Sequence, residues 1–196
     1  MEKRKICTEL VNEYLKEWNE RTDDVLKDEC LELLFRKLIP NNTKTEEILT
    51  KVCTLNRLYS TNIYNPMAMA RHIKELNIDE RLRRKGENDS LVEDIANIEV
   101  SGKKKRFYSF ATKYCYFHSP DDFPIYDLNV KRALMTYYKD KGGEFSEFTE
   151  AKLRDYKEFR KVLKAFAKHY GIDSCSVKEL DKFLWLLGLK LSSDKT

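Results

Sequence analysis

The chain has 196 residues, of which 41% are hydrophobic and 36% charged, with only 6 Gly and 4 Pro, a composition that excludes disordered and fibrous chains and fits a strongly helical globular one. A formal net charge of +4 is too small to establish a nucleic-acid partner, so the placement of charge matters more than its sum. Cys7, Cys30, Cys53, Cys115 and Cys175 are scattered without ligand spacing or a disulfide framework, so neither a metal nor a cofactor is expected. The opening MEKRKICTEL has no signal-like apolar run and nowhere do about 18 apolar residues follow one another, so the expected location is cytoplasmic with no membrane contact.

Ile6, Leu10, Val11, Tyr14, Leu15 and Trp18 recur at three- and four-residue steps and predict an amphipathic helix over about residues 3–19. Thr22 or Asp23 is placed to cap a second helix carrying Val25, Leu31, Leu34, Phe35 and Leu38, which Pro40 stops. Thr43 and Glu46 have capping-box spacing for a third, running through Ile48, Val52 and Leu55 to Tyr59. Beyond a polar turn from Ser60 to Asn65, a fourth helix turns Met67, Ala70, Ile73 and Leu76 inward. Its His72 has no second ligand nearby and reads as a satisfied or surface histidine. The cations Arg81, Arg83, Arg84 and Lys85 read as a solvated helix end or loop.

Asp89 or Ser90 caps a short helix with Leu91, Val92, Ile95 and Ile98 on one side. After Gly102, the spacing of Phe107, Phe110, Ala111 and Tyr114 is helical again, so this region reads as helix, turn with glycine and lysines, helix, ended by Pro120. Asp127 then stands before a stripe of Val130, Ala133, Leu134 and Tyr137 as an N-cap candidate, and Gly142-Gly143 breaks that helix. A long helix follows over about residues 149–170 with Gly171 as its C-cap, and Ser176 with Glu179 opens the last. No segment joins strand alternation to turn signals, so the expected fold is all-α, a single compact helical unit over residues 1–196 whose N- and C-terminal helices pack together.

Charge is distributed unevenly. Residues 1–40 hold 8 Lys+Arg against 10 Asp+Glu, whereas residues 101–132 hold 7 against 3. Gly102 with Lys103, Lys104, Lys105 and Arg106 combines backbone N–H groups and cations in the way a phosphate site requires.

The segment Pro124-Ile125-Tyr126-Asp127-Leu128-Asn129-Val130-Lys131-Arg132, of the form D-x-x-V-x-R behind a proline, resembles the catalytic segment of the helix-hairpin-helix DNA glycosylases, the endonuclease III-like superfamily. Ile98 through Lys104 occupies the place of that family's hairpin with only its last glycine kept, and Leu58-Tyr59-Ser60-Thr61-Asn62 is similar in kind to a third family element. The first hairpin glycine is missing, Gly102 to Asp127 is longer than the family spacing, and Asn129 replaces the usual histidine. The resemblance implies a two-lobed helical bundle with a helix-hairpin-helix element, the working segment lying at about residues 90–140 and a cleft between the lobes.

It also implies a monomeric hydrolase that excises a damaged or modified base flipped out of duplex DNA, as in base-excision repair. Asp127 is the carboxylate implied near C1′ of the sugar, where positive charge builds as the glycosidic bond breaks. Lys104 is the amine for a Schiff base if the enzyme also nicks the backbone. Gly102, Lys103, Lys105 and Arg106 are the expected backbone contacts, Asn62 the side chain that fills the gap left by the base, and Tyr59, Tyr64 and Tyr126 the walls of the base pocket. Two other classes fit the same residues: a non-catalytic DNA-binding protein using the basic turn, and a helical protein-interaction module in which the cations are only a wet surface.

Overall fold

The computed structural model describes residues 4–84, 88–140 and 148–193. It is mostly helical and divides into two compact units, one formed by the chain up to Val25 together with Pro124 onward, the other by Leu26–Phe123.

In the first unit, α1 (Thr8–Glu20) buries Leu10, Val11, Tyr14 and Trp18 against α10 (Val177–Ser193). Tyr14 meets Phe183 edge-on at 5.4 Å and Trp18 meets Trp185 at 5.5 Å. Between them in sequence come α8 (Leu128–Asp140), a short 3-10 turn (Lys152–Arg154) and α9 (Tyr156–His169). The helix expected from residue 149 starts seven residues later because Asp155 is extended and its carboxylate accepts the Glu158 N–H at 2.9 Å, a true N-cap. Gly171 ends α9 at φ +64, where any side chain is strained. The capping box of α10 forms as its sequence predicts, with Ser176 N–H donating to Glu179 Oε2 at 2.8 Å and Glu179 N–H to Ser176 Oγ at 3.2 Å. The expected break at Gly142-Gly143 lies outside the described residues.

In the second unit, α2 (Thr22–Leu33) runs into one wide π turn (Leu34–Leu38), followed by α3 (Thr45–Tyr59), α4 (Pro66–Glu75), α5 (Ile78–Arg83) and α6 (Asn88–Ala96). Ile48, Val52 and Leu55 of α3 are buried where α3 packs on α4, which buries Met69, Ala70 and Ile73. The predicted Thr43 cap is not used. The extended residue before α3 is Lys44, without a side-chain capping bond. His72 is satisfied, its Nε2 lying 2.8 Å from the Asp94 carbonyl.

The chain departs from expectation after Ala96. The second expected helix forms, as described below, but the connection to it is not a helical hairpin: Asn97–Val100 (β1) and Lys103–Arg106 (β2) pair antiparallel, with Asn97 opposite Arg106 and Val100 opposite Lys103. Ser101 and Gly102 both adopt positive φ, +52 and +72, the two-residue turn whose twist matches paired strands. Ile98 is therefore a strand residue, buried between exposed Asn97 and Glu99. A helix-hairpin-helix centred on Gly102 is thus not formed. The run of four cations hid the alternation on β1 and the turn behind it.

After the hairpin comes α7 (Tyr108–His118), in which Tyr108 and every residue from Phe110 to Phe117 is buried. Helices apolar on all sides sit at the centre of a core, and Phe35 of the π turn packs here, 5.0 Å from Tyr114 and 5.7 Å from Phe117. Among the described residues no helix is long and apolar enough to cross a membrane.

Candidate functional site

Asp127 stands at the start of α8, where its Oδ1 accepts the Val130 N–H at 2.9 Å. The helix start is pinned from behind. Gly188 of α10 lies so close that an added Cβ would sit 1.9 Å from the Asn129 carbonyl oxygen. Arg132 donates to Asn129 Oδ1 at 2.7 Å and to the Gly188 carbonyl at 3.0 Å. The approach to Asp127 is fixed too, since Tyr156 donates to the Pro124 carbonyl at 3.1 Å and Tyr126 packs edge-on against Phe159 at 5.5 Å. Burial pushes the half-buried Tyr126 hydroxyl above its usual pKa, opposed by Lys131 and Arg154. Beside the carboxylate, Leu128 is 61% exposed, an apolar side chain facing water on the first turn of the helix.

The cations at Gly102 do not act as one group. Lys103, Lys104, Lys105 and Arg106 are all exposed on β2. Arg106 reaches both carboxylate oxygens of Glu93, at 3.0 and 2.9 Å, and lies 4.6 Å from the centre of the Tyr108 ring. Lys104 pairs across the ladder with Glu99. On the other face of the pleat, Lys103 and Lys105 stand opposite Val100 and Ile98, with no carboxylate across from them. This leaves one charge-compensated face and one basic face.

Asn62 and Tyr64 lie in the loop between α3 and α4, in the same unit as the hairpin. Ser60 and Asn62 both hold left-handed φ, +49 and +60. Asn56 braces them: its Oδ1 accepts the Ile63 N–H and the Thr61 hydroxyl, both at 2.9 Å, while its Nδ2 donates to the Ile63 carbonyl at 3.1 Å. Asn62 is exposed and Tyr64 is 88% exposed, so Tyr64 forms no pocket wall within its unit. Tyr59 turns inward instead, donating to Asp28 Oδ1 at 2.5 Å and stacking at 5.9 Å from Phe117. Asp127 and Tyr126 belong to the other unit.

Two lysines are buried here, Lys113 on α7 and Lys51 on α3, and neither is marked by its spacing in the sequence. Lys113, 3% exposed in the middle of an aromatic helix, donates to Ser109 Oγ at 2.8 Å and stands 5.5 Å from the Tyr59 ring, whose hydroxyl holds Asp28. Lys51 of α3, fully buried, donates to Asn42 Oδ1 at 2.5 Å and to the carbonyls of Asn41 at 3.0 Å and Ile39 at 3.3 Å. Its pKa is lowered to about 8 by burial, with the Asp79 charge opposing. His118 Nε2 lies 3.4 Å from Lys51 Nζ and 3.2 Å from Asn42 Nδ2. Both neighbours are donors, so Nε2 accepts and the ring proton is on Nδ1. Burial first and Lys51 second hold His118 well below the usual histidine range. The sequence signal for Lys113 was a single lysine inside YSFATKYCYFH, since a lysine on an all-apolar helix has no wet face to reach. Among the described residues no cluster of His, Cys, Asp and Glu is arranged to hold a metal ion.

Residues 10–122 match the family model HI_0787_N, an N-terminal domain. An uncharacterized protein of Haemophilus influenzae is 39% identical over 152 residues, covering 77% of this chain and 71% of the relative. No solved structure matches the chain. With more than half of its length covered, the chain belongs to the HI_0787_N family.

Proposed function

We propose that this member of the HI_0787_N family is a DNA glycosylase, hydrolysing the bond between a modified base and its sugar, with Asp127 as the catalytic carboxylate. One observation carries the reading: a partly exposed carboxylate at the N-terminus of a helix that is pinned from behind by Gly188 and Arg132. As the C1′–N bond breaks, positive charge develops on the sugar, and a fixed carboxylate stabilises it far better than mobile water does. Water then bonds to C1′, and one of its protons leaves with the base. The exposed basic face of β2, Lys103 and Lys105, supplies phosphate contacts that carry no sequence information.

The test is a panel of short duplexes carrying uracil, an oxidised guanine, an alkylated adenine or hydroxymethylated cytosine, read for abasic sites. Base release by the parent, abolished in Asp127→Asn while DNA binding persists, is the expected result. Equal release by the variant removes Asp127 from the chemistry. Salt-sensitive DNA binding with no abasic product from any duplex identifies a binding protein instead.

A second reading, glycosylase with a lyase step, is favoured by Lys113. Such a step needs an unprotonated amine, which burial favours: it bonds to C1′ as the bond to the base breaks, and the C1′–O4′ bond then opens, O4′ taking up a proton and the nitrogen losing one, to give an imine. Lys104 stands in water on the hairpin, whereas Lys113 is buried beside Tyr59 and Ser109. Borohydride reduction of the imine separates the two: a covalent DNA adduct that Lys113→Gln loses and Lys104→Gln keeps supports this reading, and absence of any adduct leaves hydrolysis alone.

A further inference from the structure

The polar network around Lys51 ends at a surface cleft. A cavity of about 470 Å³ opens between the Asn41–Thr43 loop, the end of α4 at Lys74, and α5 with Asp79 and Arg83, a volume within the range of small-ligand sites. Its floor is rigid. Asn42 donates through its backbone N–H to Asp79 Oδ2 at 2.7 Å and through Nδ2 to Asp79 Oδ1 at 2.6 Å. Its Oδ1 accepts from Lys51 and, at 2.7 Å, from the buried Tyr114 hydroxyl. Every polar atom of Asn42 that faces inward is therefore engaged, and both oxygens of Asp79 are turned toward Asn42.

What the floor leaves over on the walls is mainly donors and positive charge. The side chains of Lys74 and Arg83 form no hydrogen bond or ion pair among the described residues, and both residues border the cavity. Asn77, on the same wall, is held at left-handed φ +49 and forms no capping bond with its side chain, although it occupies the N-cap position of α5. Glu80, the remaining carboxylate on the wall, lies 3.8 Å from Arg84. Of the charged residues that line the cleft, Lys74 and Arg83 equal Asp79 and Glu80 in number, but Asp79 shares Asn42 with the buried Lys51 and Glu80 faces Arg84, so the two cations are left over, while His118 behind the floor is held neutral by burial.

We propose that this cleft binds a phosphate group, with Lys74 and Arg83 supplying the charge and the Asn77 amide a donor. The claim stands on residues of the second unit and is independent of the role given to Asp127. Two sources share that chemistry, a free phosphate or nucleotide and the phosphodiester of a nucleic acid.

The experiment titrates the isotopically labelled full chain with inorganic phosphate, then adenosine monophosphate, then a short unmodified duplex, following the amide resonances of residues 41–43 and 77 by NMR. Saturable shifts there with phosphate or the mononucleotide, weakened at least tenfold in Lys74→Ala/Arg83→Ala and unaltered in Lys103→Ala/Lys105→Ala, support a small-ligand site. Shifts produced by the duplex, and lost in the same cleft variant, support the phosphodiester. No shift with any of the three probes, or equal shifts in the parent and the cleft variant, overturns the proposal. Both changed side chains are exposed, and an unchanged circular dichroism spectrum checks that the variant is folded.

Discussion

Gly188→Ala tests whether α8 is fixed by backbone contact with α10. The added methyl carbon meets the Asn129 carbonyl oxygen at 1.9 Å, its carbon at 2.5 Å and its Cα at 2.8 Å. All three are backbone atoms, so no side chain can rotate away. The helices have to part by roughly 1.5 Å to restore ordinary contact near 3.5 Å. That movement also stretches the bond from Arg132 to the Gly188 carbonyl, now 3.0 Å. Overpacking a tight core costs about 1–3 kcal/mol, and rigid backbone places this site at the upper end. In the opposite direction, alanine gains about 1 kcal/mol over glycine inside a helix. The balance is a loss of about 2 kcal/mol, a drop in melting temperature of roughly 4–8 °C for a chain of this size. Thermal and urea unfolding followed by circular dichroism measure it. A Gly188→Ala protein as stable as its parent, or more so, refutes the contact, because helix propensity alone would then decide the outcome.

Three further outcomes are expected. The Lys51 ammonium has a pKa of about 8 in the fold against 10.5 ordinarily, so between these values the unfolded chain holds the extra proton and stability rises with pH by up to about 3 kcal/mol. From about pH 9 the buried Cys115 thiol, and above about pH 10 the buried tyrosines, oppose that rise, and Lys51→Met removes it in unfolding curves taken between pH 7.5 and about 9. His118 has the same sign at lower pH: it is neutral when folded, so stability is complete above about 6.5 and falls as pH drops below it, more steeply than in His118→Gln. Asn56→Ala removes three hydrogen bonds that brace two left-handed residues, and the expected result is a loss of about 2 kcal/mol with new protease cleavage between residues 60 and 65.

Much of the helical order was legible because local signals and tertiary burial agree. The Ser176–Glu179 box, the Gly171 stop and the Asp127 cap are each set by residues within three or four positions of one another. The hairpin was not legible, because Lys103 to Arg106 carries no apolar alternation and Ser101-Gly102 is a weaker turn signal than Asn-Gly. Its burial comes from β1 alone, through Ile98. The Lys51 network was out of reach for another reason: Asn42, Asp79, Tyr114 and His118 are spread over 77 positions of sequence and meet only through packing. Gly188 lay between these cases. A glycine inside LWLLGLKL is costly to a helix and so announces a close approach, but the sequence does not say of what.

The two buried lysines have different surroundings. Around Lys51, two carbonyls, the Asn42 amide oxygen and the His118 nitrogen surround three N–H groups. Ile39 and Asn41 follow directly after the π turn, so the ammonium caps the C-terminal end of a helix, as a cation should. That is a structural duty, and it explains the desolvation without any reaction. Lys113 has no such helix end to serve: it lies mid-helix on α7, bonded back to Ser109 one turn earlier and set over the face of Tyr59. The Tyr59 ring and the Ser109 hydroxyl hold the ammonium in place. Of the two, Lys51 is therefore the residue whose loss should be read first in stability, and Lys113 the one on which the proposed lyase step is to be tested.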